Sequence, residues 1–398
     1  AMSRMAAVSL AEDYVRKTSS SKRPFSGLYL AACLHVSKET AVLLSALGSL
    51  GMEAHLVAAN PLSSQDEIAA YLSSIGMKVH GRRQESVEEY LKQIENAAGS
   101  GPDLIVDDGG ELHVAYAKTD STSCFGGTDE TTSGTQRLMA LERNGLLRYP
   151  VIPVNEARTK HIFDNKYGTG QSSIDGLVRA TGLLLAGKVL VVAGYGWVGK
   201  GVAMRARGQG ARVIVTEVDP IRALEAHLDG NEVMPMNTAI KNGEIFLTCT
   251  GQTGVITREH FAGMKDGAIL GNCGHFDKEI DVAALKKLSK GKRGVRQNVE
   301  EYLLDGKSLF LLCEGRVVNL VAAEGHPPEV MQLSFATQLL SLYYLVEHKE
   351  KLKDSRENVL QVPPEIESLV SDFALSAFNL KIDKLSRQQE AYHRSFNR

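Results

Sequence analysis

Paired cysteines are missing from this 398-residue chain: Cys33, Cys124, Cys249, Cys273 and Cys313 stand singly, with no Cys-x-x-Cys. That spacing excludes a disulfide framework and a zinc site built on paired thiols. With four of the five in apolar, strand-like stretches, they read as reduced core thiols, and no metal is expected. No apolar run approaches the roughly 18 residues that span a bilayer, and no basic segment with an apolar signal core opens the chain, so a soluble, cytoplasmic protein is expected. An excess of one charge is missing as well. Lysine and arginine number 45 against 47 acidic residues, a formal net charge of -2, which offers nucleic acid or an anionic membrane no basic field. A small-molecule partner fits that balance. Low-complexity tracts and short-period repeats are absent too, which excludes solenoid and fibrous architectures.

What is present is alternation. From Leu28, short apolar runs and amphipathic stretches follow one another: LYLAACLHV, KETAVLLSALGSLG, EAHLVAAN, SSQDEIAAYLSSIG, MKVHG, SVEEYLKQIENAA and DLIVDDGG. This βαβ rhythm implies a parallel sheet. A second series starts at Lys188 with KVLVVAG and continues through RVIVTEVD, EIFLTCT, AILGNCGH and SLFLLCEG, separated by helical patterns. Between the two series lies the helical SSIDGLVRATGLLLAG, and past Pro327 the long helical PEVMQLSFATQLLSLYYLVEHKEKL returns the chain. The length suits two domains. The expected fold is α/β: two doubly wound Rossmann-like domains around a hinge-bounded cleft, with hinges near 165–173 and 324–328, plus a short C-terminal helical arm. Residues 6–165 with 328–374 form the first domain, 172–324 the second and 375–398 the arm.

AGYGWVGKG sets Gly194, Gly196 and Gly199 between the strand KVLVVAG and a helix beginning near Val198, the context a dinucleotide fingerprint requires. Glycines there let backbone approach a pyrophosphate, and the helix N-terminus offers unpaired N–H groups at the positive end of its dipole. Glu217 closes the next strand, where a carboxylate accepts from both ribose hydroxyls of NAD and repels a 2′-phosphate. NAD is therefore expected over NADP. A glycine turn alone fits tight packing equally well; strand, helix and acid together point to the cofactor. Arg222, just beyond, offsets the selectivity if it turns to the ribose and is inert as a solvated first-turn residue.

Other polar groups gather at strand ends. His35 and Glu39 sit in CLHVSKET, Asp107 and Asp108 end DLIV, His275 follows a strand in CGHFD, and His326 lies at the second hinge in EGHPP. Singly, each is equally a structural histidine or a turn-capping acid. Lys160 and Asp164, four apart in NEARTKHIFDNKYG, share a helical face; the spacing suits a buried proton-transfer pair or a surface ion pair.

Taken together, CLHVSKET, NPLSSQD, VDDGGEL, DETTSG, VNEARTKHIFDNKYG, AGYGWVGKG, NCGHFD and EGRVVNLVAAEGHP resemble the adenosylhomocysteinase (S-adenosyl-L-homocysteine hydrolase) family, from about Leu28 to Leu385. FDNKYGTGQ and MRARGQGARVIVTEVDPIRALEA are most similar to its archaeal and thermophile-type, short-tailed branch. The resemblance implies a thioether hydrolase in which tightly held, recycled NAD oxidises the ribose 3′-hydroxyl. The ketone acidifies the C4′ proton, homocysteine leaves C5′, water adds and the hydride returns. It implies Lys160 as the base at the 3′-hydroxyl with Asp164, and Glu130 and Asn155 orienting lysine and sugar. Such a lysine suits a dry, partly cationic cleft that lowers its pKa. Asp108 and His35 serve the C4′ proton, the leaving thiol and the water, and His275 sits by the 3′-oxygen. Ser37 and Glu39 read the base edge with backbone at Gly325 and His326, while Met331 packs on its face. Thr131, Thr132, Ser133, Asn165, Thr250, Asn272 and Asn319 contact NAD beside Gly196, Val198 and Glu217. A homotetramer is implied as well.

The sequence departs from the family pattern at several places. Trp197 stands where Asp is common, Ser37 where Thr is usual, Thr169 where many members have Cys, and Glu324 where an apolar gate residue is usual. SRQQEAYHRSFNR closes the chain without the longer Lys- and Tyr-bearing tail that in many members reaches a neighbouring subunit's NAD site. The same residues suit S-inosylhomocysteine or another nucleoside dehydration, because they specify 3′-oxidation more than the base or the leaving group. A non-catalytic NAD-sensing protein would have lost one of them.

Overall fold

A computed structural model describes residues 1–395 apart from Leu62, Gln84, Asp354 and Arg356. Leu62 of NPLSSQD and the last three residues of the expected arm lie outside the described residues. Six strands, β1 (Tyr29–Leu34), β2 (Glu53–Ala58), β3 (Lys78–His80), β4 (Leu104–Asp107), β5 (Gly126–Asp129) and β6 (Val151–Pro153), form one sheet in the order β3-β2-β1-β4-β5-β6. Every pairing in it is parallel. Its central strands are buried nearly throughout, as expected when helices cover both faces. Local signals agree with the sheet. Ser37 caps the helix Lys38–Ser49 by accepting from Thr40 N, which leaves His35 in the turn between β1 and that helix.

The second sheet contains β7 (Val189–Ala193), β8 (Arg212–Thr216), β9 (Glu232–Val233), β10 (Ile245–Thr248), β11 (Ala268–Asn272), β12 (Gly291–Arg296), β13 (Val299–Leu304) and β14 (Lys307–Leu312), ordered β12-β13-β14-β11-β10-β7-β8-β9. Strand order reverses between β1 and β4 and again between β7 and β10. Doubly wound sheets bind ligands at such switch points, outside the carboxyl ends of the strands. The chain passes from one sheet to the other through residues 154–181 and returns by the helix Pro328–Glu347. Leu333, Ala336, Leu339, Leu340 and Leu345 of that helix pack into the first core with β1 and β4.

The doubly wound reading holds, with three differences. β5 reads GGTD, not an apolar run, and β6 is only the three residues VIP; β5 needs glycine because a Cβ at Gly127 would lie 2.8 Å from the His113 ring and 2.9 Å from the Ile105 carbonyl oxygen. Between AILGNCGH and SLFLLCEG, only Val282–Leu288 is helical. The remainder forms β12 and β13, an antiparallel edge whose register shifts between Gly294 and Arg296. In the arm the helix Pro364–Ala377 ends, and among the described residues a separate short helix, Arg387–Arg394, follows with a Ser386/Gln389 capping box. All five cysteines are free and buried. Among the described residues no helix is long and apolar enough to cross a membrane.

Candidate active site

The carboxyl ends of both sheets enclose a cavity of about 1400 Å³, larger than the roughly 300–1,000 Å³ usual for one small ligand. Three consecutive neighbours in the first sheet supply its acid–base groups: His35 after β1, Asp108 after β4 and Glu130 after β5. The register sets Asp107 opposite Asp129, which brings Asp108 and Glu130 out side by side. Asp107 works behind them, accepting from Asp108 N at 2.8 Å and from His113 N at 2.9 Å. Burial, opposed by the His113 hydrogen bond and reinforced by Asp108, pushes the Asp107 carboxyl up to about 7.

Lys160 is 2 % exposed and fully partnered. Its Nζ lies 2.8 Å from Asp164 Oδ2, 3.5 Å from Glu130 Oε1, 3.0 Å from Asn165 Oδ1 and 3.3 Å from Asn155 Oδ1. A π-helical turn, Asp164–Thr169, follows and buries Asp164, Asn165 and Thr169 together; such turns mark functional sites often. The expected lowering of the lysine pKa is corrected here. Burial does favour the neutral amine, but Asp164 and Glu130 outweigh it and hold the ammonium above its ordinary value. The charged groups in contact with Lys160 are anionic, not cationic. Burial likewise raises Glu130 to about 7, against the pull of Lys160, while Ser334 Oγ and Gln338 Nε2 donate to its two oxygens.

Asp164 has a second cationic neighbour. His326 Nδ1 lies 2.5 Å from Asp164 Oδ1, and its Nε2 contacts Thr169 Oγ1 at 3.0 Å and Asn319 Nδ2 at 3.3 Å. Burial works to raise the Asp164 carboxyl, yet His326 and Lys160 hold it well below the carboxylate range. His326 is raised in turn, because Asp164 outweighs the burial that would lower it.

Across the cavity Asp108 stands between imidazoles from the two sheets. Its Oδ2 is 3.5 Å from His35 Nε2 and its Oδ1 is 3.9 Å from His275 Nδ1. Burial pushes His35 down to about 4 and lowers His275, with Asp108 opposing in both cases. Both rings are therefore neutral near pH 7. His35 Nδ1 is fixed by Ser63 Oγ at 2.7 Å. At one end, Ser37, Glu39 and Met331 line the wall; Glu39 is buried, with an Oε1 that no hydrogen bond satisfies and Lys38 Nζ 3.8 Å away.

The other end meets the glycine turn. Gly194 adopts φ +95, and a Cβ there would lie 2.8 Å from Thr250; at Gly199 it would lie 1.9 Å from the Gly194 carbonyl oxygen. A Cβ at Gly196 would meet nothing closer than Arg222 at 3.7 Å, which leaves this position open to the cavity at the start of the helix Trp197–Gly208. Glu217 holds the loop by accepting from Tyr195 N at 2.6 Å and from the Val218 and Asp219 amides. Arg222 also lines the cavity, and Asn319 Oδ1 is buried without a partner. The open backbone at Gly196, the carboxylate at Glu217 and the unsatisfied Asn319 oxygen fit a dinucleotide.

Thr131, Thr132, Ser133, Asn155, Asn165, Val198 and Thr250 reach the same cavity, whereas Gly199 and Asn272 do not. Asn272 stands behind the wall, bonded to Thr248, Gly274 and Phe276. Sequence reasoning missed Ser63, Ser334, Gln338 and Glu279, which holds Thr250. Ser334 and Gln338 left a trace, lying four apart on one face of the helical QLSFATQLL.

The profile of S-adenosyl-L-homocysteine hydrolase matches residues 5–122, and that of its NAD-binding domain matches 165–325. Adenosylhomocysteinase of Sulfurisphaera tokodaii is 51% identical over 380 residues, 95% of this chain and 91% of the relative. That of Aquifex aeolicus is 50% identical over 384 residues, with the same coverage. S-inosyl-L-homocysteine hydrolase of Methanocaldococcus jannaschii is 47% identical over 382 residues, again 95% of this chain and 91% of the relative.

Proposed function

Because the chain belongs to the S-adenosyl-L-homocysteine hydrolase family, we propose that it converts S-adenosyl-L-homocysteine reversibly to adenosine and L-homocysteine. The observation that carries this reading is the buried Lys160, ringed by Asp164, Glu130, Asn155 and Asn165 in one cavity with the glycine turn and the Asp108 imidazole pair.

NAD, held by Gly194, Gly196, Val198, Glu217, Thr131, Thr132, Ser133, Asn165, Thr250 and Asn319, supplies reversible hydride uptake from the ribose 3′ carbon. Lys160 is the base at the 3′-hydroxyl. Its ammonium, held above the ordinary value by Asp164 and Glu130, must first give up a proton; Glu130, which burial raises to about 7, is the adjacent group that takes it, freeing a lone pair for the hydroxyl proton. Asp164, kept anionic by His326 and Lys160, aligns the ammonium as it forms again. Asp108 and the neutral His35 act at C4′, on the departing thiol and on the incoming water, while His275 closes over the 3′-oxygen. Glu39, Ser37 and Met331 hold the base. Burial of these groups keeps bulk water from the reactive ketone.

S-inosyl-L-homocysteine is the second reading. Glu39 beside Lys38 presents an acceptor next to a donor, which suits the N1–H and O6 of hypoxanthine as well as the N6–H and N1 of adenine. Incubating the full-length chain with each thioether in parallel, with free thiol, nucleoside and NADH absorbance recorded, decides between them. Thiol release with only a bound, sub-stoichiometric NADH signal is expected, and absence of thiol from both sinks the proposal.

We assign 6–165 with 328–374 to substrate, 172–324 to NAD and 375–398 to an arm. We further propose a cytoplasmic homotetramer. The five buried free thiols support a reducing compartment.

A further inference from the structure

Trp197, the chain's single tryptophan, opens the helix that begins at the glycine turn, and its ring reaches across to the other half of the site. It stacks on His161 with centroids 4.8 Å apart and planes 24° from parallel, and Lys200 Nζ lies 4.8 Å from the same ring. Lys200 is held in turn by Glu225 at 2.7 Å. His161 neighbours Lys160 in sequence, and its Nδ1 donates to the Asn155 carbonyl oxygen at 3.0 Å. The Asn155 side chain accepts from both Lys160 and Asn165. An unbroken line of contacts therefore runs from the first residue of the cofactor helix to the lysine ammonium.

A second contact lies one turn along the same helical face. A Cβ at Gly201 would sit 1.9 Å from the Lys166 carbonyl oxygen, and one at Gly170 would sit 2.5 Å from the Gly201 carbonyl carbon. Backbone meets backbone there without a side chain between. Trp197 and Gly201 thus fasten the helix to residues 161–170 at two points, the second rigid and the first adjustable by the ring stack.

We propose that Trp197 is a positioning residue: through His161 it fixes Asn155, and with it the Lys160 ammonium, relative to the glycine turn, so that filling the cofactor site and aligning the lysine are one event. This rests on the hydrolase reading above. Trp197 is 38% exposed, so its replacement leaves the core intact, and thermal melts of each variant check that.

The test compares Trp197→Ala and Trp197→Phe in the full-length chain. Trp197→Ala lowers kcat about tenfold to a hundredfold, the scale of a small misplacement of a reacting group, with KM for the thioether little changed. Trp197→Phe, which still stacks, recovers most of that loss. Adding NAD to the unmodified chain shifts its tryptophan emission, a readout that needs no turnover. Equal losses in the two variants, a kcat in Trp197→Ala matching the unmodified chain, or a loss confined to NAD affinity would each overturn the proposal. An inactive unmodified chain overturns the hydrolase reading instead, and an emission unmoved by saturating NAD then overturns the coupling as well.

Discussion

Asp164 and His326, 162 residues apart in the sequence, meet at 2.5 Å and tie the segment that enters the second sheet to the segment that leaves it. The same carboxylate holds Lys160 through its other oxygen, so one acid serves both the crossing and the catalytic lysine. The pair is buried, and breaking a buried pair from one side costs about 3–5 kcal/mol because the remaining charge is stranded. His326→Gln is expected to lose that much near pH 6. The sign of the pH dependence follows from the two shifts. His326 is raised, so its stabilisation is complete below the unfolded histidine value and is lost as pH rises through the folded one. Asp164 is lowered, so its share is complete above the unfolded carboxyl value and is lost only in strong acid. Melting temperatures of the two proteins should therefore converge on the alkaline side; a gap that stays constant to pH 9 would show that the pair is not charged.

Replacing Lys160 separates its chemical role from its structural one. Lys160→Met removes the base, and hydrolysis is expected to fall by about a hundredfold to ten-thousandfold. NAD binding survives, because the glycine turn is untouched. The informative readout is absorbance of bound NADH after adenosine is added: it develops in the unmodified enzyme and fails in the variant. An undiminished NADH signal would move the base to another residue.

Legibility of this chain divides along the range of the interactions. Strands such as LYLAACL and KVLVVA are apolar on both faces and announce themselves, and AGYGWVGKG carries its own geometry. β5 was not legible, because Gly127 is there for what it avoids, contact with His113 and Ile105. The sign of the Lys160 shift was hidden for a related reason. Glu130 and Asp164 come from different elements, and only the assembled sheet shows that the lysine faces carboxylates. The family resemblance implied Asn272 as a cofactor contact, yet its side chain turns back to bind its own loop.

Cofactor selectivity is open to a direct test at Glu217. Its carboxylate stands at the end of β8, within the cavity that Arg222 also lines. Removing it leaves the arginine as the remaining charge there. Glu217→Ser is expected to weaken NAD by about tenfold and to strengthen NADP, since the repulsion of a 2′-phosphate is gone. Part of the NAD loss arises because Tyr195 N loses its acceptor. Parallel titration of cofactor-free protein with the two dinucleotides measures both effects, and unchanged NADP affinity would show that Arg222 faces away from the ribose.

The glycine turn offers a pair of substitutions with opposite consequences. A methyl group at Gly199 would lie 1.9 Å from the Gly194 carbonyl oxygen, so the turn must retreat. Gly194 has no room to do so, with Thr250 and Cys249 packed against it and its amide bound to the Thr216 carbonyl oxygen at 2.8 Å. Gly199→Ala is therefore expected to cost about 1–3 kcal/mol in stability and to weaken NAD together. Gly196 differs. Its φ of -70 suits any residue, and a methyl group there meets nothing closer than Arg222 at 3.7 Å. Gly196→Ala should melt at the temperature of the unmodified chain yet bind NAD more than about tenfold less tightly, because only a bound pyrophosphate occupies the space the methyl enters. Equal NAD affinity in Gly196→Ala would mean that the phosphates lie elsewhere along the cavity, and the cofactor assignment of this turn would fall with it.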